Sequence, residues 1–198
     1  MASRKLTLAD IADLREYERT REAFRARVIE MKRHRRVHVG PIVTLVFENR
    51  DTVRFQIQEM ARAERMLRDE QIQEELDVYN PLIPDPGCLS ATLFIELTTH
   101  EELRAWLPRL VGIERSVALE LAGGEVVRAE PEAAHASQLT RQDVTASVHY
   151  VQFRLTPAQV EALASGEASL VVDHPEYRHR SPLAPATRQA LLEDLRGG

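Results

Sequence analysis

The residues with most potential for binding chemistry cluster directly after the apolar run at residues 42–47. Their carboxylate, guanidinium and amide groups could pair with a complementary protein surface, because such groups orient a partner and set specificity. The candidate binding residues are Glu48, Asn49, Arg50, Asp51, Arg54, Glu59, Arg62, Glu64 and Arg65. The same charges could instead form an internal network that joins N-terminal helices to a sheet, and both interpretations stay open from the sequence.

Two histidines could ligate a metal or transfer a proton. His149 shares a predicted strand face with Val151, and His174 shares one with Val172, so both imidazoles are expected to point inward. An inward imidazole can bind a metal, but it more often hydrogen-bonds a backbone carbonyl or a carboxylate. His149 and His174 therefore predict a metal site only together with carboxylates from elsewhere in the chain.

No motif identifies a catalytic or cofactor site. The sequence has no Walker loop, no dinucleotide-binding glycine pattern and no nucleophile elbow. Asp173 and His174 are adjacent, but neighbouring strand residues point to opposite faces and cannot form the direct pair of a catalytic triad. Cys88 is the only cysteine, which excludes an internal disulfide and a cysteine-rich metal cluster. Whether the protein is an enzyme, and with which cofactor, stays unknown from the sequence.

The composition indicates a globular protein. The 198 residues can bury a core of their own, and we expect a single domain, residues 1–198, with a helical N-terminal region at residues 1–38. No apolar run approaches the ~20 residues that cross a bilayer, and no secretory signal is recognisable, so we expect a cytoplasmic location without a membrane partner. The net charge of -5 argues against specific nucleic-acid binding.

The charge reverses locally before the candidate binding segment. Residues 21–40 contain seven arginines and lysines against two glutamates: Arg21, Arg25, Arg27, Lys32, Arg33, Arg35 and Arg36 against Glu22 and Glu30. These cations could contact a phosphate or an acidic partner. They could also complement the negative end of a helix that stops before Gly40 and Pro41, and we favour this simpler interpretation.

The N-terminal region is predicted to be helical. Thr7 can cap a short helix, and a longer helix is expected from about residue 15 or 20 to Arg35. In the longer helix Phe24, Val28 and Met31 form an apolar stripe with i, i+4, i+7 spacing. Because this stripe needs a cover, we also expect that two chains can form a homodimer through it.

The rest of the chain alternates strand and helix signals. Strands are predicted at residues 42–47, 89–97, 146–155 and 169–172, and a hairpin at residues 115–121 and 125–129. Helices are predicted over about 16 residues after Asn49 or Asp51, with Leu67 on the apolar face, and at residues 100–107, 157–165 and 184–195. Residues 176–180 are expected to form a solvated connector. The fold class is therefore α+β, with N-terminal helices packed on a mixed, mainly antiparallel sheet with further helices.

Several blocks of sequence carry a resemblance to a known family. They are residues 39–41 (VGP), 44–60 (TLVFENRDTVRFQIQEM), 79–84 (YNPLIP), 89–96 (LSATLFIE) and 172–177 (VDHPEY). Together they resemble the uncharacterised bacterial domain-of-unknown-function family numbered 3501. The resemblance implies gene neighbourhoods with rubrerythrin-like di-iron proteins and iron-sulfur oxidoreductases. A redox or metal protein is thus the expected partner of a non-catalytic accessory or binding protein. The alternative is a metal-dependent or metal-delivering protein that uses His149 and His174.

Overall fold

The computed structural model describes residues 4–133 and 143–197. Short 3-10 turns cover Leu8–Asp10, Asn80–Leu82 and Ile113–Arg115, and the α-helices are α1 (Leu14–Arg33), α2 (Arg50–Ala63), α3 (Asp69–Tyr79), α4 (His100–Trp106), α5 (Pro157–Ser165) and α6 (Pro185–Arg196). The strands are β1 (Arg36–Val39), β2 (Val43–Glu48), β3 (Cys88–Ile95), β4 (Val117–Glu120), β5 (Val126–Arg128), β6 (Glu130–Pro131), β7 (Val148–Arg154), β8 (Ser169–His174) and β9 (Tyr177–Pro182). The predicted α+β class is confirmed. No helix within these two ranges has the length and apolar character needed to cross a membrane.

The strands form two antiparallel sheets, where the sequence predicted one sheet. Sheet A has the order β1-β2-β3-β7-β6, and sheet B has the order β5-β4-β8-β9. The β4–β5 hairpin around Gly123 and Gly124 is confirmed, with Glu120 opposite Val126. A second tight turn joins β1 to β2, where Val39 pairs with Val43.

The main apolar core contains residues of both sheets. Alternating residues of β2 and β7, such as Phe47 and Phe153, point into it, and their ring centroids lie 6.0 Å apart. Sheet B contributes Leu170 and Val172 to the same cluster. Helices α5 and α6 add further apolar side chains, including the fully buried Leu191.

The other face of sheet A is covered by helices. A second apolar cluster joins Val53 and Ile57 of α2 to Leu76 of α3. Helix α1 packs on α2 through Phe24 and Phe55, whose rings meet edge to face at 5.6 Å. The apolar stripe of α1, which was expected to need a second chain as its cover, is thus covered by α2 of the same chain. The homodimer stays a prediction, and the stripe no longer supports it.

Tyr177, the first residue of β9, holds the turn between β1 and β2. Its buried hydroxyl donates to the carbonyl of Val39 at 2.6 Å and accepts from the amides of residues 42 and 43 at 3.1 and 3.2 Å. Gly40 lies in this turn with φ +74°, and a Cβ there would overlap the Tyr177 hydroxyl and the His179 ring. Only glycine fits both this backbone conformation and this space.

Three parts of the fold differ from the sequence prediction. The helical N-terminal region ends at Arg33, and β1 follows where its last residues were expected. The expected connector at residues 176–180 contributes to a ninth strand, β9. Helix α2 ends at Ala63 instead of continuing, so Leu67 is 81% exposed instead of buried on an apolar face.

Candidate functional site

The first residue of the candidate binding segment lies in the interior. Glu48 is 4% exposed, and its carboxylate accepts hydrogen bonds from the hydroxyls of Thr52 at 2.5 Å and Thr92 at 2.6 Å. Asn49 caps α2 by accepting from the Thr52 amide at 2.9 Å. Glu48 and Asn49 therefore organise the junction between β2 and α2, and the buried Glu48 carboxylate has no surface to offer a partner.

The next residues of the segment contact other parts of the N-terminal region. Arg50 donates to the carboxylate of Asp10 at 2.5 Å. Arg54 lies 3.6 Å from the Asp51 carboxylate, and its guanidinium stacks over the Phe24 ring at 4.6 Å. These contacts fasten the first half of α2 to the N-terminal turn and to α1.

Glu59 binds α1 through two residues one helical turn apart. Its carboxylate accepts two hydrogen bonds from Arg21, both at 2.8 Å, and one from the Tyr17 hydroxyl at 2.7 Å. The Arg21 guanidinium lowers the pKa of Glu59 to about 2, and burial raises the pKa of Tyr17. Arg62 pairs with Glu18 of α1 at 2.5 Å. The polar groups of these α2 residues are thus engaged by α1.

The end of α2 is different, because its side chains are exposed. Glu64 is the C-cap residue, and Arg65 adopts φ +52°, a left-handed conformation that non-glycine residues seldom take. The turn directs Met66 into the protein, where it is 7% exposed, and leaves Leu67 81% exposed. Arg65 thereby ends the helix and presents Leu67 to solvent.

Leu67 lies at a shallow apolar groove of 140 Å³ between the N-terminal turn and α3. The groove has room for about one apolar side chain, and its apolar lining is Leu8, Ile11, Ala12, Leu14, Ala61, Met66, Leu67 and Ile72, with Asp13, Arg68 and Asp69 as polar neighbours. Sequence analysis missed this groove. The acids Asp69 and Glu70, which are typical of a first helical turn, are the signal that a new helix begins after Leu67.

Helix α3, beside the groove, is strongly acidic. It contains five carboxylates and no lysine or arginine: Asp69, Glu70, Glu74, Glu75 and Asp77. Partial burial raises the pKa of Glu75, and the Glu64 and Glu74 carboxylates raise it further. The Glu75 carboxylate is therefore repelled by the carboxylates of Glu64 and Glu74. Val78, also on α3, is 44% exposed.

His149 lies in sheet A with its ring in the core. Its Nε2 lies 2.9 Å from the carbonyl of Ala146 and 2.8 Å from the Thr145 hydroxyl. Since the carbonyl can only accept, Nε2 carries the proton. Burial lowers the pKa of His149, while the Glu114 carboxylate opposes that shift. The imidazole is therefore a hydrogen-bonded core group.

His174 lies in sheet B and uses both ring nitrogens. Nε2 donates to the carbonyl of Val111 at 3.0 Å, and Nδ1 accepts from the amide of Glu176 at 3.2 Å. No nitrogen lone pair is left for a metal in this arrangement. Over residues 4–133 and 143–197, no group of three or more His, Cys, Asp and Glu side chains could hold a metal ion. The metal site at His149 and His174 stays a prediction from the sequence alone.

These features define a two-sheet α+β protein with an exposed apolar groove beside an acidic helix. The chain matches the family described as "Protein of unknown function (DUF3501)" over residues 5–195, and it belongs to that family. It is similar to a novel protein of unknown function from Burkholderia pseudomallei K96243, whose crystal structure gives a TM-score of 0.88 at 36% sequence identity. That similarity covers 96% of this chain and 99% of the other. No curated protein matches the chain.

Proposed function

We propose that this protein is a non-catalytic accessory protein that binds a partner protein through the groove surface. The groove surface consists of the apolar groove with Leu67 at its edge, the exposed charged residues Glu64 and Arg65, and the acidic helix α3. The observation that carries the proposal is the 81% exposure of Leu67 beside a groove lined by other apolar side chains. Large apolar groups that lie together on a surface, with polar groups around them, are typical of interfaces.

The energetic argument rests on Leu67. Burial of a leucine side chain stabilises a complex by about 1.5–3 kcal/mol, and binding energy concentrates in a few side chains at an interface centre. In the free protein Leu67 gains little of that energy, because most of its surface faces water. A partner that covers Leu67 and inserts one apolar side chain between Leu8 and Ile72 would gain it.

The charge of α3 indicates the chemistry of the partner. Five carboxylates without a cation in the helix favour a partner with a basic surface around an apolar side chain. Such a pair associates faster at low salt, because ions screen exposed charges over about 10 Å at 0.1 M. The redox or metal protein that the family resemblance implies is the partner class that we propose, in the cytoplasm.

The test is an affinity purification from the native host with three forms of the full chain. They are the wild type, Leu67→Ser, and Val126→Ser as a matched control at an exposed apolar residue outside the groove surface. The partner recovered with the wild type is then purified, and its Kd is measured directly. We expect Leu67→Ser to weaken binding at least tenfold with an unchanged Tm, and Val126→Ser to bind as the wild type does.

Charge and self-association complete the test. Glu74→Lys and Asp77→Lys on α3 are expected to weaken the same complex and to reduce its salt dependence. Equal affinity for the wild type and Leu67→Ser would refute the proposal. It would also be refuted if sedimentation showed a homodimer that Leu67→Ser dissociates, because a second copy would then cover the groove.

A further inference from the structure

A second polar site lies at the C-terminal end of α1 and on β1, and its pocket shares no residue with the groove. The buried hydroxyl of Thr44 on β2 lies 2.8 Å from Nδ1 of His38 and donates to Glu96 at 2.7 Å. Arg36 pairs with the other oxygen of Glu96 at 3.2 Å. His38 and Thr44 are direct neighbours across the β1–β2 ladder. Thr44 thus links an exposed imidazole to a carboxylate.

The hydrogen bonds of Thr44 determine which ring nitrogen of His38 carries a proton. A threonine hydroxyl has one proton, and the carboxylate of Glu96 can only accept, so Thr44 gives its proton to Glu96. Nδ1 of His38 must then carry a proton and donate it to Thr44. Nε2, on the other side of the ring, has no partner within the described part of the chain. The side chain of His38 is 65% exposed, so a ligand can reach Nε2.

His38 lines a surface pocket of 470 Å³ together with cations. The pocket is formed by Ile29, Lys32, Arg33, Arg36 and His38. Arg33 pairs with Glu30, and Arg36 pairs with Glu96, but each guanidinium has five N–H donors and keeps several for a ligand. Lys32 has no ion-pair partner in residues 4–133 and 143–197. The pocket therefore retains positive charge and unused donors.

The dipole of α1 accounts for only part of this charge. Lys32 and Arg33 lie in the last turn of α1, where cations complement the negative helix end. Arg36 and His38 lie beyond the helix on β1, and the dipole effect falls off within the last turn. Both line the pocket beside Lys32, so the polar and cationic lining of the pocket extends beyond the helix end.

We propose that this pocket, the β1 pocket, binds the phosphate group of a small organic phosphate monoester. Lys32, Arg33 and Arg36 offer charge-assisted donors to phosphate oxygens. With Nδ1 protonated by the contact to Thr44, Nε2 of His38 can accept a hydrogen bond from a protonated phosphate oxygen. Ile29, which is 43% exposed at the pocket, provides an apolar contact for the organic part.

Calorimetric titration of the full chain with phenyl phosphate and with inorganic phosphate tests the site. We expect phenyl phosphate to bind more tightly than inorganic phosphate, and Ile29→Ser to remove most of that difference. Lys32→Glu should weaken both ligands at least tenfold. Arg25→Glu is the matched control, because Arg25 is an exposed α1 cation outside the pocket. The affinity of this variant for both phosphate compounds should stay within about twofold of the wild type.

A separate measurement tests whether Thr44 holds His38 in the form that is protonated at Nδ1. In the wild type, ¹⁵N NMR of His38 should show a protonated Nδ1, and added phenyl phosphate should shift mainly Nε2. Thr44→Val keeps the shape of the side chain but removes the link, so the Nδ1 preference should disappear. Equal affinity of the wild type and Lys32→Glu, no binding of either phosphate compound, or binding of an acidic peptide alone would overturn the proposal.

Discussion

The hydrogen bonds between Glu59 and Arg21 allow the attachment of α1 to α2 to be measured. Glu59→Gln keeps the size of the side chain and removes its charge. Arg21 and the Tyr17 hydroxyl then lose a charged acceptor that both contact within 2.8 Å. Because both Arg21 and Tyr17 belong to α1, the decrease in the free energy of unfolding measures how strongly Glu59 attaches α1 to α2.

The magnitude follows from the pKa of Glu59. The carboxylate titrates at about 2 in the folded protein, against an ordinary value of 4.5, chiefly because of the Arg21 hydrogen bonds. At 1.36 kcal/mol for each pKa unit, this difference corresponds to roughly 3 kcal/mol. The side chains of Arg21 and Glu59 are 25% and 29% exposed, so solvent screening lowers the expected effect to about 1–2 kcal/mol.

The difference between the folded and the ordinary pKa of Glu59 also determines how the free energy of unfolding depends on pH. Since the folded pKa is the lower one, the ionised carboxylate contributes its full stabilisation above about pH 4.5, and the contribution is lost as the pH falls towards 2. Glu59→Gln should therefore be less stable than the wild type at pH 7. The two proteins should converge in stability as the pH falls through this window.

Urea denaturation at several pH values measures both effects. Glu22→Gln is the control, because Glu22 is an exposed carboxylate of α1 without an ion pair in residues 4–133 and 143–197. In the Arg21→Gln background, Glu59→Gln should cost much less than it does alone, since the partner is already gone. The reasoning fails if Glu59→Gln matches the wild type at pH 7, or if the difference between them does not change with pH.

Two further predictions concern the turn between β1 and β2. Gly40→Ala should lower the Tm clearly more than Gly123→Ala. Both glycines have positive φ, but only Gly40 faces the Tyr177 hydroxyl and the His179 ring. Equal losses of Tm in thermal unfolding would show that the turn tolerates a Cβ. Tyr177→Phe should cost about 2–4 kcal/mol in urea denaturation, because it leaves the Val39 carbonyl and two amides without their shared hydroxyl; a loss below about 0.5 kcal/mol would refute this role.

The sequence predicted those helices, strands and turns whose signals lie inside the element or within a few residues of its ends. The apolar run before Asn49 became β2, Thr99 caps α4, and Gly123-Gly124 forms the β4–β5 turn. In each case the deciding contact is local: a cap hydrogen bond, a positive φ or an alternation of burial. These elements could therefore be predicted without knowledge of the packing.

The missed strands are polar because only one of their faces meets the core. In β1 the residues alternate between exposed and buried, and the exposed Arg36 and His38 resembled a cationic helix end. In β9 only Tyr177 is buried, and pairing with β8 fixes the rest as strand. Such long-range pairing contributes stability that a local polar sequence does not reveal.

The charge pairs of the candidate segment also depend on packing. Helix spacing places Glu59 and Arg62 on α2, but it does not give the rotation of α2 against α1. That rotation decides whether Glu59 meets Arg21 or water. The sequence shows the charged segment, while only the structure separates its internal pairs from its exposed end.

This separation determines which variants can test partner binding. Reversal of the charge at Arg62 would break its pair with Glu18, and reversal at Arg54 would remove a cation from the Phe24 ring. A loss of binding in either variant could then come from a displaced α1. Leu67 has most of its surface in water and lies outside these contacts, so a substitution there changes the groove surface with little effect on the fold. The affinity of Leu67→Ser at unchanged Tm is for that reason the decisive measurement.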